Sequence, residues 1–269
     1  MKTGGRALEA PGALAEFAAE LHAAGTSSRA TLVLHGGGAE VSLWSARFGV
    51  QPTFVDGLRV TDPVTLEVAA AVLAGLANKR IVAALRAHGI DAVGLAALDG
   101  GIVRARRHTN AAILGEVGEI ESIDMSLLVT LLGAGRVPVL ASIGDDGAGG
   151  LLNLNADDVA AAIAAALPAG DLVLLSDTAG LTLGGEIVRT VHEHEIATLL
   201  EHPEVQGGMR PKLRAAATAL AAGTGRVHIC AWQGPGTLQA VLTGTGVATT
   251  FVSARHAHGI PRGESCLTP

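Results

Sequence analysis

The sequence predicts an α/β protein whose mainly parallel sheet is covered by helices on both faces. Strand-like and helix-like segments alternate along the chain, and the run Leu172-Val173-Leu174-Leu175 is apolar without a break, as strands buried on both faces are. Glycine-rich turns stand at strand ends just ahead of helices. The 269 residues suit one large α/β domain or two lobes sharing a sheet; 49% hydrophobic and 16% charged residues supply a sizeable core and exclude disorder except locally. Aromatics are only 2% and Tyr is absent, so Ala, Val, Leu and Ile must build that core.

A helix is expected over residues 11–22, with Pro11 at its start and Gly25 just past its end. A short buried strand at 31–34 leads into His35-Gly36-Gly37-Gly38 and a helical stretch to residue 48. Asp62-Pro63 opens a long helical pattern (Leu66, Ala69, Ala70, Leu73, Leu76, Ala77) that reaches residue 87 and is ended by Gly89. Next come a strand at 91–95, short and partly basic hairpins over 102–121, a helix over 123–133 and a strand at 137–141. The segment 144–150 reads as a loop, and Asn155 as the cap of a helix to residue 167. After the apolar strand, helices are expected at 192–200, 211–222 and 236–242, with strands at 227–231 and 247–252. The tail, 255–269, is polar, rich in Gly and Pro, and reads as a loose end. There is no internal repeat.

The mean hydropathy of +0.42 would suit a membrane protein. The apolar runs 159–169 and 127–134, however, fall short of the roughly 18 residues that span a bilayer. The chain opens on Lys2-Thr3-Gly4-Gly5 and not on a signal-peptide pattern. Cys230 and Cys266 have no metal or redox spacing and point to a reducing cytoplasm. A net charge of −6 and a pI near 5.9 argue against nucleic acid as the partner. The expectation is a soluble cytoplasmic protein that engages neither nucleic acid nor membrane.

Gly4-Gly5 and Gly36-Gly37-Gly38 stand where open α/β sheets bind ligands and where bare N–H groups cradle anions; each is either such a cradle or a plain tight turn. No GxxxxGK[ST] occurs, which excludes a P-loop NTPase, and the Gly36 triplet lacks the GxGxxG spacing of a dinucleotide fold. Of 19 basic residues only Lys2, Lys79 and Lys212 are lysines, a bias that points to places where a compact ammonium is needed in preference to a planar guanidinium. Pro211 fits the first position of a helix, which sets Lys212 in its first turn; there it is either a solvated lysine or half of a phosphate site shared with the helix terminus. Capping accounts for Asn155 and Asp158 but leaves Asn153, on the same face, unexplained. Arg59, in the turn before the long helix, either clamps a carboxylate or pairs with Asp56 or Asp62. His192-Glu193-His194-Glu195 is not HExxH, so a zincin is rejected, and His256 and His258 belong to the tail. Arg104, Arg106, Arg107 and His108 form a basic cluster that is either a solvated face or a reception for an anionic substrate. Ser176-Asp177 closes the apolar strand at its C-terminal edge, where a carboxylate suits a ribose or a lysine.

Taken in order, Lys2-x-Gly4-Gly5, the His35 to Gly38 run, Gly57-Leu58-Arg59-Val60-Thr61, Asn78-Lys79, the stretch 94–100, Asn153-Leu154-Asn155-Ala156-Asp157, Leu175-Ser176-Asp177-Thr178-Ala179-Gly180 and Gly208-Met209-x-x-Lys212 resemble the acetylglutamate kinases of the amino acid kinase superfamily. The resemblance covers residues 1 to about 252. It implies a three-layer αβα sandwich around an open, mainly parallel eight-stranded sheet. It also implies an acceptor-binding and dimerising lobe over 1–168 and an ATP-binding lobe over 169–254. The implied reaction is phosphorylation of the γ-carboxylate of N-acetyl-L-glutamate by MgATP, the second step of arginine synthesis. The Mg²⁺ would be carried by the nucleotide, with no protein metal ligands. Carried over by motif, Lys2 and Lys212 hold the transferring phosphoryl group from two sides and Asp157 orients both. Gly4, Gly5, Gly37 and Gly38 donate backbone N–H bonds, Arg59 pairs with the α-carboxylate, and Asn153 holds the amino acid portion. Asp177, Thr178, Ala179, Gly180, Leu181 and Thr182, with Glu204, Val205 and Gln206, line the ATP pocket.

The chain also departs from the family's pattern. Only Met1 precedes Lys2, so the first strand is expected to be clipped, and residues for the extra N-terminal helix of arginine-inhibited members are missing. A homodimer without arginine feedback is the expectation. Gly94-Leu95-Ala96-Ala97-Leu98 replaces the usual Gly-Leu-Ser-Gly, and Ala248-Thr249 the usual Gly-Thr of the last strand. The competing readings are a kinase for carrier-protein-linked 2-aminoadipate or glutamate, which needs a basic surface, and a catalytically silent relative, which would have lost a lysine or Asp157. A nicotinamide-dependent oxidoreductase is disfavoured by the missing GxGxxG.

Overall fold

The computed structural model describes residues 1–4, 10–25, 30–167 and 170–253. In chain order the elements begin with β1 (Lys2–Thr3), α1 (Ala13–Ala23), β2 (Val33–His35), α2 (Gly38–Arg47), β3 (Phe54–Val55), β4 (Leu58–Arg59) and α3 (Pro63–Ala70). A π-helical stretch (Ala71–Ala77) joins α3 to α4 (Asn78–Ala87), followed by β5 (Ala92–Ala96), β6 (Val103–Arg107), α5 (Ala111–Leu114) and β7 (Val117–Ile123). Then come α6 (Ser126–Gly133), β8 (Val137–Ala141), β9 (Ile143–Asp145), β10 (Leu151–Leu154), α7 (Ala156–Ala166), β11 (Asp171–Ser176), β12 (Thr182–Leu183) and β13 (Glu186–Ile187). The chain closes with β14 (Thr190–His192), α8 (Ile196–Leu200), α9 (Met209–Ala221), β15 (Arg226–Ala231), α10 (Thr237–Leu242) and β16 (Thr249–Val252).

Among the described residues eight strands form one open sheet in the order β14-β16-β15-β11-β1-β2-β8-β5, every pair parallel except β15 with β16. Successive strand side chains point to opposite faces, and both faces are apolar. Leu34, Leu140, Leu172, Leu174, Val227 and Ile229 pack under α6, α7 and α9. Val33, Val137, Val139, Val173, Leu175 and Cys230 pack under α1, α4 and α10. This is why the central strands read as unbroken hydrophobic runs, and it makes the αβα sandwich. Burial in this layer, with Glu20 nearby, pushes the Cys230 thiol up to about 12 and leaves it inert. Beside the main sheet, β6, β7, β9 and β10 close on themselves as a small barrel that shares the α7 core.

The long helix runs unbroken from Pro63 to Ala87. Asp62 caps it, its Oδ1 accepting from Thr65 N at 2.7 Å, with Pro63 in the first position. Gly89, at φ +76°, ends the chain's helical course as its position predicts. Its 25 residues include an 18-residue stretch of mean hydropathy 1.6, so by length and composition the helix could cross a membrane; 44% of that stretch is buried inside the fold. This corrects the expectation that no apolar segment reaches spanning length: small residues and scattered polar ones break the run, while the helix itself is continuous.

Several expected boundaries shift. The helix expected from residue 123 starts at Ser126, because β7 stays paired with β6 through Ile123. The expected loop 144–150 is framed by β9 and β10, which pair with each other to build the barrel. The helix expected from residue 192 gives way to β14, which pairs with β16, and α8 begins only at Ile196. The helix carrying Lys212 starts at Met209, so Pro211 is its third residue and not its first. The first strand is short, as expected, and the Met1 α-amino group donates to Leu32 O at 2.7 Å. The tail, 255–269, lies outside the described residues.

Candidate active site

The strands preceding residue 168 (β2, β8, β5) lie on one side of β1 and those following it (β11, β15, β16, β14) on the other. Strand order therefore reverses at β1, and the crevice beyond its C-terminal end is where an open α/β sheet binds ligands. Lys2 sits at that end, in register with Leu34 and Leu174, so it shares the face of α7. Asn155 caps α7, its Oδ1 accepting from Asp157 N at 2.8 Å and Asp158 N at 3.1 Å. This fixes the Asp157 carboxylate between two ammonium groups: Lys2 Nζ lies 2.8 Å from Oδ1 and Lys212 Nζ 3.1 Å from Oδ2. Lys212 also reaches Gly208 O, at 3.4 Å, across the first turn of α9.

Lys2 and Asp157 are 5% and 6% exposed. Burial alone would raise the Asp157 carboxyl; the two ammonium groups overcome it and hold the group below the usual carboxylate range. Burial lowers the Lys2 ammonium, with Asp157 opposing the fall and Lys212 adding to it. The bridge itself holds two cations and one anion, and the N-termini of α2 and α7 add their dipoles. The arrangement suits an anion. Gly4 stands two residues after Lys2, and a Cβ there would collide with the Lys2 ammonium and push it off Asp157, so glycine leaves the ammonium its place. Gly5 lies outside the described residues.

A cavity of about 180 Å³ opens beside Lys2 and Asp157, lined by Gly4, Gly37, Gly38, Phe54, Gly57, Arg59, Ser142 and Asn153 among others. The β3–β4 hairpin roofs it. Its turn takes Asp56 and Gly57 at φ +50° and +82°, and the tip reaches Pro211 and Gly207 of the other half. Arg59, 8% exposed, donates from Nη2 to Gly38 O at 2.6 Å and Ser42 Oγ at 2.7 Å, and its guanidinium lies 4.8 Å from the centre of the Phe54 ring. Its Nη1 is buried with no hydrogen-bond partner among the described residues. Asp62, one of the acids set against it in the sequence, is occupied in capping α3. A buried guanidinium with an orphaned N–H facing a cavity fits a carboxylate ligand. Asn153 Nδ2 donates to Thr61 Oγ1 at 3.0 Å, which turns the amide toward the same cavity.

The residues expected to line a nucleotide pocket follow β11. Asp177 lies close enough to Lys2 to act on its charge. Thr178 N donates to Ser176 Oγ at 3.3 Å, shaping the turn. Gly180 packs against Thr249, leaving no room for a Cβ. Leu181 and Val205 are 1% and 0% exposed: their side chains belong to the core, and Leu181 N is already spent on Thr249 Oγ1 at 2.7 Å. Thr182 opens β12. Glu204 accepts from Gly184 N at 2.9 Å and Gln206 donates to Pro203 O at 2.7 Å, so this segment is tied to the β12–β13 hairpin. Among the described residues no group of three or more His, Cys, Asp or Glu is gathered that could hold a metal ion.

Residues 1–231, spanning this constellation and most of the sheet, match the amino acid kinase family. The chain belongs to that family. It is 43% identical to an acetylglutamate kinase of Symbiobacterium thermophilum over 82% of this chain and 80% of that one. To an acetylglutamate kinase of Methanopyrus kandleri it is 44% identical, over 72% and 82%. Among solved structures, the N-acetylglutamate synthase of Neisseria gonorrhoeae, complexed with coenzyme A and N-acetyl-glutamate, superposes with a TM-score of 0.81 at 27% identity, covering 93% of this chain and 58% of that one. Two buried polar residues behind the Gly36 triplet belong to motifs that carry the resemblance, yet the sequence alone assigns neither of them a role. His35 is 1% exposed and Asn78 is fully buried, and they meet at 3.1 Å. A histidine directly before three glycines and an Asn-Lys pair inside an apolar helix were the signals available.

Proposed function

We propose that this amino acid kinase transfers the γ-phosphoryl group of ATP to the γ-carboxylate of N-acetyl-L-glutamate, in arginine biosynthesis. The observation that carries the reading is the Lys2–Asp157–Lys212 bridge at the reversal point of the sheet. A carboxylate acceptor, with an ordinary pKa near 4.3, is already ionised at neutral pH. No general base is needed; the obstacle is bringing two anions together in line. One acceptor oxygen attacks the γ-phosphorus while the bond to the β-phosphate oxygen breaks, releasing ADP and leaving an acyl phosphate. Lys2 and Lys212 would neutralise the phosphoryl oxygens from two sides, and Asp157 would hold both in place without taking a proton. N–H groups of Gly4, Gly37 and Gly38 would meet the charge that develops in the transition state. Arg59 would take the α-carboxylate on its orphaned Nη1, and Asn153 would fix the amino acid portion.

In the same proposal, residues 1–168 hold the acceptor and 169–254 the nucleotide, Asp177, Thr178 and their neighbours lining its pocket and Mg²⁺ arriving on its phosphates. The protein would act in the cytoplasm as a homodimer, using the incompletely covered face of the Pro63–Ala87 helix. One specific observation weighs against a carrier-linked acceptor. Arg106 and Arg107 are paired with Glu119 and Glu116, each at 2.7 Å, so the basic cluster is neutralised on its own hairpin. The test is ATP consumption with N-acetyl-L-glutamate, the product trapped by hydroxylamine. Hydroxamate formed with N-acetyl-L-glutamate but not with glutamate is the expected result. Turnover only with a carrier-linked amino acid, or none from a protein that binds ATP, would reject the reading.

A further inference from the structure

The His35 side chain lies on the α4 face of the sheet, since Val33, two residues earlier on β2, packs there while Leu34 faces α7. Its Nδ1 is 3.0 Å from Gly36 O. A carbonyl only accepts, so Nδ1 carries a proton in that contact. The other ring nitrogen, Nε2, meets Asn78 Nδ2, and this amide's orientation is settled by its surroundings: Nδ2 donates to Val139 O at 2.9 Å and approaches Leu95 O at 3.3 Å, while Lys79 Nζ donates to Oδ1 at 3.0 Å. An amide N–H facing Nε2 requires a lone pair there. Asn78 therefore admits one form of the ring, neutral with its proton on Nδ1. Burial pulls the imidazole down to about 4, and the Lys79 ammonium, the charged group recorded beside the pair, adds to the fall.

The consequence lies across the next peptide plane. In a trans peptide the carbonyl of Gly36 and the N–H of Gly37 point in opposite directions. With the carbonyl drawn toward His35 on the α4 face, the Gly37 N–H is turned toward the opposite face, where Lys2 and Asp157 stand, and Gly37 lines the cavity. We propose that Asn78 and His35 are positioning residues that aim the Gly37 N–H at the transferring phosphoryl group. Asn78 sets the imidazole tautomer, and the imidazole holds the Gly36 carbonyl. The proposal rests on the reaction inferred above, which it deepens.

The experiment combines kinetics of Asn78→Ala and Asn78→Asp with ¹⁵N spectra of the wild-type imidazoles, assigned through His35→Gln. The expected spectrum places the His35 proton on Nδ1. Because a donor aimed at the transition state acts on kcat, Asn78→Ala should lower kcat by about tenfold or more with both KM values unchanged. In Asn78→Asp the carboxylate accepts from Nε2–H and leaves Nδ1 bare, and protonating the ring restores the donor. Its kcat should therefore rise as pH falls, and that of the wild type should not. A wild-type proton on Nε2, an effect of Asn78→Ala on KM alone, or identical pH profiles in Asn78→Asp and wild type would each overturn the proposal. A wild type that binds ATP but turns over no N-acetyl-L-glutamate rejects the reaction instead; the relay then stands or falls on the imidazole spectrum.

Discussion

Asp157 is a carboxylate that serves by keeping its charge. Its two lysines are each other's nearest like charges, and one desolvated acid holds them together with Oδ1 and Oδ2 on separate partners. Removing either lysine would leave the acid half-compensated, and in the proposed reaction it would then repel the phosphate. Lys2→Ala or Lys212→Ala is therefore expected to lower kcat by about 10²-fold or more, on the scale of losing a fixed transition-state donor. Steady-state kinetics on protein whose circular dichroism matches the wild type checks this, and an unchanged rate removes that lysine from the mechanism. Arg59→Ala should differ in kind. In the proposed reaction it would touch a part of the acceptor that does not react, so KM for N-acetyl-L-glutamate should rise steeply with kcat nearly kept. His35 yields a prediction about stability. Its imidazole is held near 4 against 6.5 in the unfolded chain. The unfolded state therefore binds the extra proton between those values, and stability present above pH 6.5 is lost as pH falls toward 4. The loss amounts to about 3 kcal/mol. Urea midpoints at pH 7 and pH 4.5 should diverge in the wild type and diverge less in His35→Gln.

At the scale of elements, the site is built from helix beginnings. α7 delivers Asp157 as its second residue, so the Asn155 cap that starts the helix also sets the carboxylate. Asn155→Ala should cost about 1 kcal/mol of stability, lowering Tm by about 3 °C in a chain of this size. It should also lower kcat, because Asp157 N loses its acceptor; thermal melts and kinetics measured together check both, and a kcat equal to wild type would separate the cap from the site. These beginnings are also what the sequence makes legible. Asn155, Asp62-Pro63 and Gly89 carry their chemistry in a single residue type at a fixed position, and the elements they bound occur as expected. The strand at 137–141 and the apolar β11 are legible because both of their faces are buried. What escaped is either too short to show a pattern or held by partners distant in sequence. The β3–β4 and β12–β13 strands are two residues each, too short for any alternation. β9 and β10 exist through pairing with each other and with β6 and β7. Lys2, Asp157 and Lys212 could be proposed from motifs, but their common meeting point is a product of the sheet order. The His35–Asn78 contact joins residues 43 apart, so the motifs that hold each of them say nothing of their meeting.

For the whole molecule, the question is whether the two halves flanking β1 behave as separate folding units. They share a sheet: β1 is hydrogen-bonded to β2 on one side and β11 on the other, so neither half completes its hydrogen bonding without it. A second tie crosses the other face. Glu20 of α1 accepts from Leu238 N at 2.7 Å and Gln239 N at 3.1 Å, capping α10 from 218 residues away, and Phe17 of the same helix meets the Trp232 ring edge-on at 5.8 Å between centroids. Losing either half would strand a buried carboxylate and a central strand edge. The halves should therefore unfold together. The chain's two tryptophans fall one on each side, Trp44 in α2 and Trp232 just after β15, so each can report alone. Trp44→Phe leaves the second half visible by fluorescence, and Trp232→Phe the first. Each single-tryptophan variant should show one urea transition that coincides with its own loss of helical circular dichroism. A fluorescence midpoint separated from the circular-dichroism midpoint in either variant would mean that the halves are independent. Glu20→Ala sharpens the test: it leaves two α10 amides without their acceptor, at a cost of about 1–3 kcal/mol. If the sheet alone couples the halves, the variant unfolds earlier but still in one step, whereas a transition that splits in this variant would place the coupling in the α1–α10 contact.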